Sequence, residues 1–404
     1  MHIGPILATM RRNKVGAFLI ALQMALTLAI LCNTLFIIHQ RLALLARPSG
    51  VDEANTFAVS NQWMGVREET AARIRADLTA LRSLPGVVDA YETNSYPLRG
   101  GGWSEGINLQ PGQKHSTAHS ALYFSDEHTI NALGLRLIAG RNFTPEEIGE
   151  RTEQVSTPTR VVIVSQALGL KLFPDGSALG KTVYLNDEPA TIIGVVDTLQ
   201  TPWVSSAWAE KFVGNTVLDP HLYKSNFYHY VVRAQPGQLQ AVMKAAQDRL
   251  FEVNRERVVD RLRSFTEVRA DAYRADRALA VILAWVSGAL LSVTAFGIVG
   301  LTSFWVAQRR RQIGVRRALG ATRRAVLAYF QTENGLIAAA GVVAGVALAV
   351  GLNLWMMHAF DMQRLNPLYA LGGALAVVLL GQFAVLWPAL RAASIPPALA
   401  TRAA

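Results

Sequence analysis

Four stretches of this chain contain no Asp, Glu, Lys or Arg: Val15 to Gln40, Ala278 to Gln308, Asn334 to Phe360 and Leu365 to Leu390. Each is at least 26 residues long, which as a helix reaches roughly 39 Å against a hydrocarbon core of about 30 Å. All four are long enough to cross a bilayer. Helices buried in a soluble core are usually shorter and keep a charged face, so four membrane spans are expected. At 404 residues, 51% hydrophobic and 17% charged, the chain has room for a folded soluble domain beside them.

The charges outside the spans orient them. Arg11, Arg12 and Lys14 precede the first span; Arg309, Arg310, Arg311, Arg316, Arg317, Arg323 and Arg324 lie between the second and third; Arg391 and Arg402 follow the fourth. Glu333, at the edge of the third span, is the only acid on these segments. The segment Arg41 to Arg277 is balanced, with 26 Lys plus Arg against 27 Asp plus Glu. The positive-inside rule then places both termini and the second-to-third loop in the cytoplasm, and Arg41 to Arg277 with the turn Asp361 to Arg364 outside. This distribution accounts for the net charge of +10 without a nucleic-acid partner.

The first span has a basic lead-in like a signal peptide, but its apolar core is too long and no small-residue cleavage site closes it, so it reads as a retained anchor. The only cysteine, Cys32, falls inside that span. The outer segment is therefore expected to fold on a hydrophobic core without disulfides. "GSALGKT", Gly176 to Thr182, looks at first like a phosphate-binding loop. It has three residues between its glycines where four are needed, and Asp175 stands where the first glycine should be. Neither nucleotide binding nor any other cofactor is expected.

The outer segment alternates short strands and helices. Strands are expected at Thr56 to Ser60, Arg160 to Val164, Lys181 to Leu185, Ala190 to Val196 and Phe227 to Arg233, with a hairpin turn at Asn186-Asp187. Helices are expected over Arg67 to Leu84, from a Ser165 cap to near Phe173, and over Leu239 to Val253. One or two α/β lobes follow. Ser264 and Glu267 form a capping box opening a helix without Pro or Gly until Gly288, which predicts unbroken helix from the outer domain into the second span. His115, His119 and His128 invite a zinc site, but nothing places the first two on one helical face, and surface histidines are the simpler reading.

Ionisable side chains are absent from mid-span, where a proton- or ion-coupled carrier needs them; His39 and His358 sit at span ends. Gly341, Gly345 and Ala349 form a small-residue stripe on the third span, fit for close helix packing within the chain or against a second copy. Trp305, Trp355 and Trp387 near span ends suggest interfacial anchoring. In the loop Gln308 to Glu333, Ile313, Ala318 and Leu319 interleave with arginines as in a short amphipathic helix, which Gly320 would stop before Thr322 caps the next. Such a helix lies on anionic lipid or docks in a partner's groove.

"RRRQIGVRRALGA" resembles the cytoplasmic signature of FtsX-like permeases of the MacB type. "VVIVSQALGLKLFPDGSALGKTVYLNDEPATIIGVVDT" and "ALGLRLIAGRNFTPEE" resemble their periplasmic core domain. The resemblance implies an α-helical membrane protein with four transmembrane helices, one before and three after a large α/β periplasmic domain, in the bacterial inner membrane. Its parts would be a cytoplasmic N-terminus (1–14), helix 1 (15–40), the periplasmic domain (41–263), a stalk with helix 2 (264–308), a cytoplasmic coupling loop (309–333), helices 3 (334–360) and 4 (365–390), and a cytoplasmic tail (391–404). It also implies a coupling helix seated on a separate ATP-binding-cassette ATPase, made of Arg310, Arg311, Gln312, Ile313, Gly314, Arg316, Arg317, Ala318, Leu319, Gly320 and Ala321. The expected partners are that ATPase, a second permease chain, identical or paralogous, and a periplasmic adaptor with an outer-membrane channel. The implied role is an export permease that is not itself an enzyme, without catalytic or metal residues; the alternative is a signalling permease regulating periplasmic cell-wall hydrolases. Gln312 departs from the Glu that many relatives carry. The stretch Tyr91 to His115 matches no part of the pattern.

Overall fold

The computed structural model of this chain describes residues 14–64, 69–152, 157–204, 209–260, 262–360 and 363–394. Arg11, Arg12, Arg402 and the first residues of the helix expected from Arg67 lie outside them. The chain divides into two compact units, Leu44–Ala275 and the set of four long helices with their connections.

The first long helix, α1 (Lys14–Leu45), leads into the inserted unit. Its elements are β1 (Thr56–Trp63), α2 (Thr70–Arg82), β2 (Val87–Thr93), β3 (Trp103–Asn108), β4 (Ala118–Phe124), α3 (Thr129–Leu133), β5 (Leu137–Gly140), β6 (Gly149–Arg151), β7 (Val161–Ser165), α4 (Gln166–Leu172), β8 (Thr182–Leu185), β9 (Glu188–Val196), β10 (Thr216–Asp219), β11 (His221–Tyr223), β12 (Phe227–Ala234), α5 (Leu239–Val253), β13 (Arg257–Val259), β14 (Arg263–Ser264) and α6 (Phe265–Ala272). They build two lobes. In one, the strand order is β13-β1-β12-β2, with β14 also on β1. Successive side chains of a strand point to opposite faces, and here both faces are covered. Phe57 and Val59 share a core with Ile74, Leu78 and Leu81 of α2 and with Val242, Ala246 and Leu250 of α5. Ala58, between them, belongs to a second core with Phe265 and Val268 of α6. Under the first face Arg257 meets Asp77 through two contacts of 2.7 Å, and Tyr230 donates to the same carboxylate at 2.5 Å.

The other lobe orders its strands β5-β9-β7-β10-β4-β3-β8, and β8 pairs back onto β9. Six strands thus close into a ring, with β5 outside it on β9. The β8–β9 turn holds Asn186 at φ 49° and Asp187 at φ 65°, the left-handed pair a two-residue hairpin requires and Asn and Asp tolerate best. Ser165 ends β7 and caps α4, its Oγ accepting the Leu168 N–H at 3.3 Å.

The remaining elements are α7 (Arg274–Gln308), α8 (Arg310–Ala318), α9 (Arg323–Phe360) and α10 (Pro367–Ala393). Helices α1, α7, α9 and α10 are long and apolar enough to cross a membrane. Among them α1 is the hub. A Cβ on Gly341 would stand 2.9 Å from the Ala21 carbonyl, and one on Gly345 2.9 Å from that of Ala25. Asn33 donates to the Ala349 carbonyl at 3.1 Å. The stripe Gly341, Gly345 and Ala349 therefore packs on α1 of its own chain. Gly373 of α10 fits over Cys32 in the same way, and Thr27 and Thr294 share a hydrogen bond of 2.7 Å between α1 and α7.

Two expectations need correction. Ser264 and Glu267 do form the capping box, but the helix is interrupted at Tyr273 before α7 begins. Phe265, Val268 and Tyr273 are buried in the inserted unit's core, so tertiary packing fixes the course of α6 and overrides the uninterrupted helical propensity. Trp355 and Trp387 are exposed, as anchors would be, but Trp305 is buried against Gly16 and serves packing.

Candidate coupling site

Helix α8 is short because its end is specified. Gly320 has φ 95°, a conformation that costs a residue with Cβ. Its N–H donates to the Arg317 carbonyl at 3.2 Å, and the Ala321 N–H to that of Arg316 at 3.0 Å. These two bonds form a Schellman motif. The Thr322 hydroxyl then accepts the Ala325 N–H at 3.2 Å and starts α9.

The predicted residues fall on different faces. Ile313 and Gly314 are buried, with Ile313 in the core of the helical unit. Arg317 donates to the Ala393 carbonyl at 2.8 Å, holding α8 to the end of α10. Arg316 lies 5.2 Å from the Tyr329 ring centroid. Arg310, Arg311, Gln312, Val315, Ala318 and Leu319 are exposed, Leu319 at 83%. Positions four apart share a helical face, so Arg311, Val315 and Leu319 make one stripe, basic at one end and apolar at the other. A cavity of about 170 Å³ opens beside it, between Gln312, Ile313 and Arg316 on one side and Ala325, Tyr329 and Phe330 on the other.

The support beneath α8 was missed by sequence reasoning. Arg309, between α7 and α8, donates to both Glu333 oxygens at 3.0 Å, and both side chains are buried. This pair fixes where α8 leaves α7 against α9. The signal was present: one acid among twelve cations, at a span edge where an unpaired carboxylate is costly.

Two further arginines brace the chain near its passages between the units, Arg41 within the helical unit and Arg269 within the inserted one. Arg41 meets Asp276 at 2.8 Å. Arg269, on α6, contacts both Glu53 oxygens at 2.7 Å and donates to the Leu45 and Arg47 carbonyls at 3.0 and 2.9 Å. The Glu53 hydrogen bond is the main influence holding the Arg269 guanidinium above its usual range, against partial burial.

The other motifs resolve differently. In "GSALGKT" the Gly180 N–H donates to the Ile192 carbonyl at 2.8 Å and the Lys181 N–H to Ala178 at 3.2 Å. The first amide is committed to β9 and the second to a local turn, and a strand follows where a phosphate loop would open a helix. His128 contacts Asp89 at 2.9 Å, whereas His119 stacks near Phe212. Among the described residues no group of three His, Cys, Asp or Glu is placed to hold a metal ion.

Residues 22–250 match the family model of the MacB-like periplasmic core domain, and 284–397 that of the FtsX-like permease C-terminal. The chain belongs to the MacB-type, FtsX-like permeases. As an ABC transporter permease of this family it is similar to the macrolide export ATP-binding/permease protein MacB of Chromobacterium violaceum, at 27% identity over 267 residues, 65% of this chain and 40% of that protein. It spans less than half of that MacB. The ABC transporter permease YknZ of Bacillus subtilis is 26% identical over 277 residues, 68% of this chain and 67% of that one. The periplasmic region of MacB from Actinobacillus actinomycetemcomitans aligns with 57% of this chain and 97% of its own, at 15% identity and a TM-score of 0.34. The assignment rests on the family models.

Proposed function

We propose that this MacB-type permease is the transmembrane subunit of an export machine. In this reading it carries the stroke of a separate ATPase from the α8 loop to the inserted domain. The loop faces the cytoplasm and the inserted domain the periplasm, with the part boundaries of the sequence reading. A second permease chain completes the membrane assembly, and an adaptor with an outer-membrane channel receives the product. The observation that carries this reading is the division of α8 into a buried, clamped face and an exposed Arg311, Val315 and Leu319 stripe. A short helix clamped on one side, with a stripe running from basic to apolar on the other, suits a seat in a partner's groove through which a stroke can be passed.

Leu319→Asp tests it best, since Leu319 touches little of its own chain and the variant should still fold; Gly314→Asp, at a buried position, would confound docking with stability. Leu319→Asp should abolish co-purification with the ATPase, or stimulation of its turnover, while insertion is retained. Unchanged association and turnover would overturn docking through α8. ATP hydrolysis by this polypeptide alone would overturn the division of labour. To separate export from regulation of cell-wall hydrolases, the native complex is captured and its subunits identified, an adaptor supporting export and a hydrolase the signalling role.

A further inference from the structure

The loop after β2 lies in the stretch that the sequence could not place. Leu98, at its centre, is buried yet has φ 66°. A leucine in the left-handed region is strained and persists only where its surroundings over-determine it. Here they do. The Leu98 N–H donates to the Thr201 carbonyl at 3.1 Å, and that of Gly100, itself at φ 92°, to the Pro202 carbonyl at 2.8 Å.

The residue this loop presents is Arg99. Its guanidinium lies 5.6 Å from the Phe227 ring centroid and donates to the Gly101 carbonyl at 3.1 Å. Among the described residues it has no carboxylate partner. It opens on a cleft of about 470 Å³ lined by Leu98, Arg99, Trp203, Arg263, Asp271 and Arg274, among others. Three guanidiniums thus face one carboxylate. Asp271 is already shared, since it accepts from Arg263 at 2.8 Å and also from Arg274. Burial first, and the like charge of Arg263 with it, pull the Arg99 guanidinium below its ordinary range, against the favourable field of Tyr96. An anion in the cleft would relieve that crowding.

Arg274 opens α7, and the charge-free stretch begins four residues later at Ala278, about 6 Å along the axis. An arginine fork matches phosphate oxygens, and an indole suits the boundary between the polar and apolar parts of an amphiphile.

We infer that this cleft binds the phosphate of an anionic amphiphile, held by Arg99 and Arg263 with Trp203 and Leu98 against its apolar part. The assignment is independent of which ATPase drives the chain. The test is calorimetric titration of the full chain in neutral detergent with short-chain phosphatidylglycerol, short-chain phosphatidylcholine and glycerol 3-phosphate. Phosphatidylglycerol should bind about tenfold tighter than phosphatidylcholine, and the double variant R99Q/R263Q, which removes both charge-assisted contacts, should lose at least about tenfold. Glycerol 3-phosphate binding as tightly as the phospholipid would identify the source as free phosphate; weaker binding identifies the lipid. Either result upholds the phosphate site. Equal affinity for the two phospholipids, or for wild type and R99Q/R263Q, overturns it. Should the double variant fail to fold, R99K decides: it keeps the charge but loses the fork, and undiminished affinity would equally sink the site.

Discussion

Arg309 and Glu333 show how much one pair can fix. Breaking a buried ion pair leaves a charge without its partner and costs about 3–5 kcal/mol, whereas replacing both members by apolar residues is often neutral. Glu333→Gln should lower the thermal stability of the detergent-solubilised chain markedly, and R309M/E333L should recover most of the loss; equal losses would show that the pair acts through something other than its charges. A second residue-scale prediction concerns His229, buried against Ser60. Burial chiefly, helped by the Arg99 charge, lowers its pKa to about 3 from 6.5. The folded state then keeps it neutral while the unfolded chain takes up a proton below 6.5. Its contribution is complete above 6.5 and falls by about 1.4 kcal/mol per pH unit down to about 3. Asp126, raised to about 6 mainly by burial, works in the opposite sense between its unfolded value and 6. The comparison must therefore be between chains: relative to His229→Gln, the wild type should lose hydrogen-exchange protection at β12 as pH drops from 7.5 to 4.5. Parallel pH profiles would show that His229 titrates normally.

At the scale of elements, the packing of α9 on α1 leaves no room for a side chain. A Cβ on Gly345 would also stand 3.0 Å from the Cβ of Leu28, and helix backbones cannot yield as side chains do. Gly345→Leu should destabilise the chain by about 1–3 kcal/mol or more, measured as loss of the folded fraction in size-exclusion chromatography; a variant of wild-type stability would mean that the stripe is not a contact. Several elements were legible because their signals are local: α5 falls on Leu239–Val253 as expected, and the Asn186-Asp187 turn and the Ser264 box follow from side chains bonding nearby backbone. The break at Tyr273 was not legible, because it depends on Phe265 and Val268 finding a core built from residues distant in sequence. The same holds for the strand ring: β8 closes it by pairing with both β3 and β9, and no periodicity announces such a partner. Within α8, composition located the helix, but only neighbours on α9 and α10 decide that Ile313 turns in and Leu319 out.

For the whole molecule, the proposed stroke must pass between parts that are separate compact units. Arg41 with Asp276 inside the helical unit, and Arg269 with Glu53 and the Leu45 and Arg47 carbonyls inside the inserted unit, brace the two places where the chain passes from one unit to the other. Arg269→Ala removes a clasp of four hydrogen bonds without touching α8. The expectation is uncoupling: the ATPase partner still binds and turns over at near the wild-type rate, while export falls by at least about tenfold, a change of 1.4 kcal/mol in coupling. Export and turnover falling together would place Arg269 in general stability instead.

The central place of α1 also bears on synthesis. In chain order this hub precedes the inserted domain, and the helices that surround it are made only after that domain. Until they arrive, Thr27 and Asn33 must wait in lipid without the partners they have in the finished bundle. The nascent protein therefore depends on whatever shelters a lone, partly polar helix in the interval, and assembly of the bundle is a late event, after synthesis of the inserted domain.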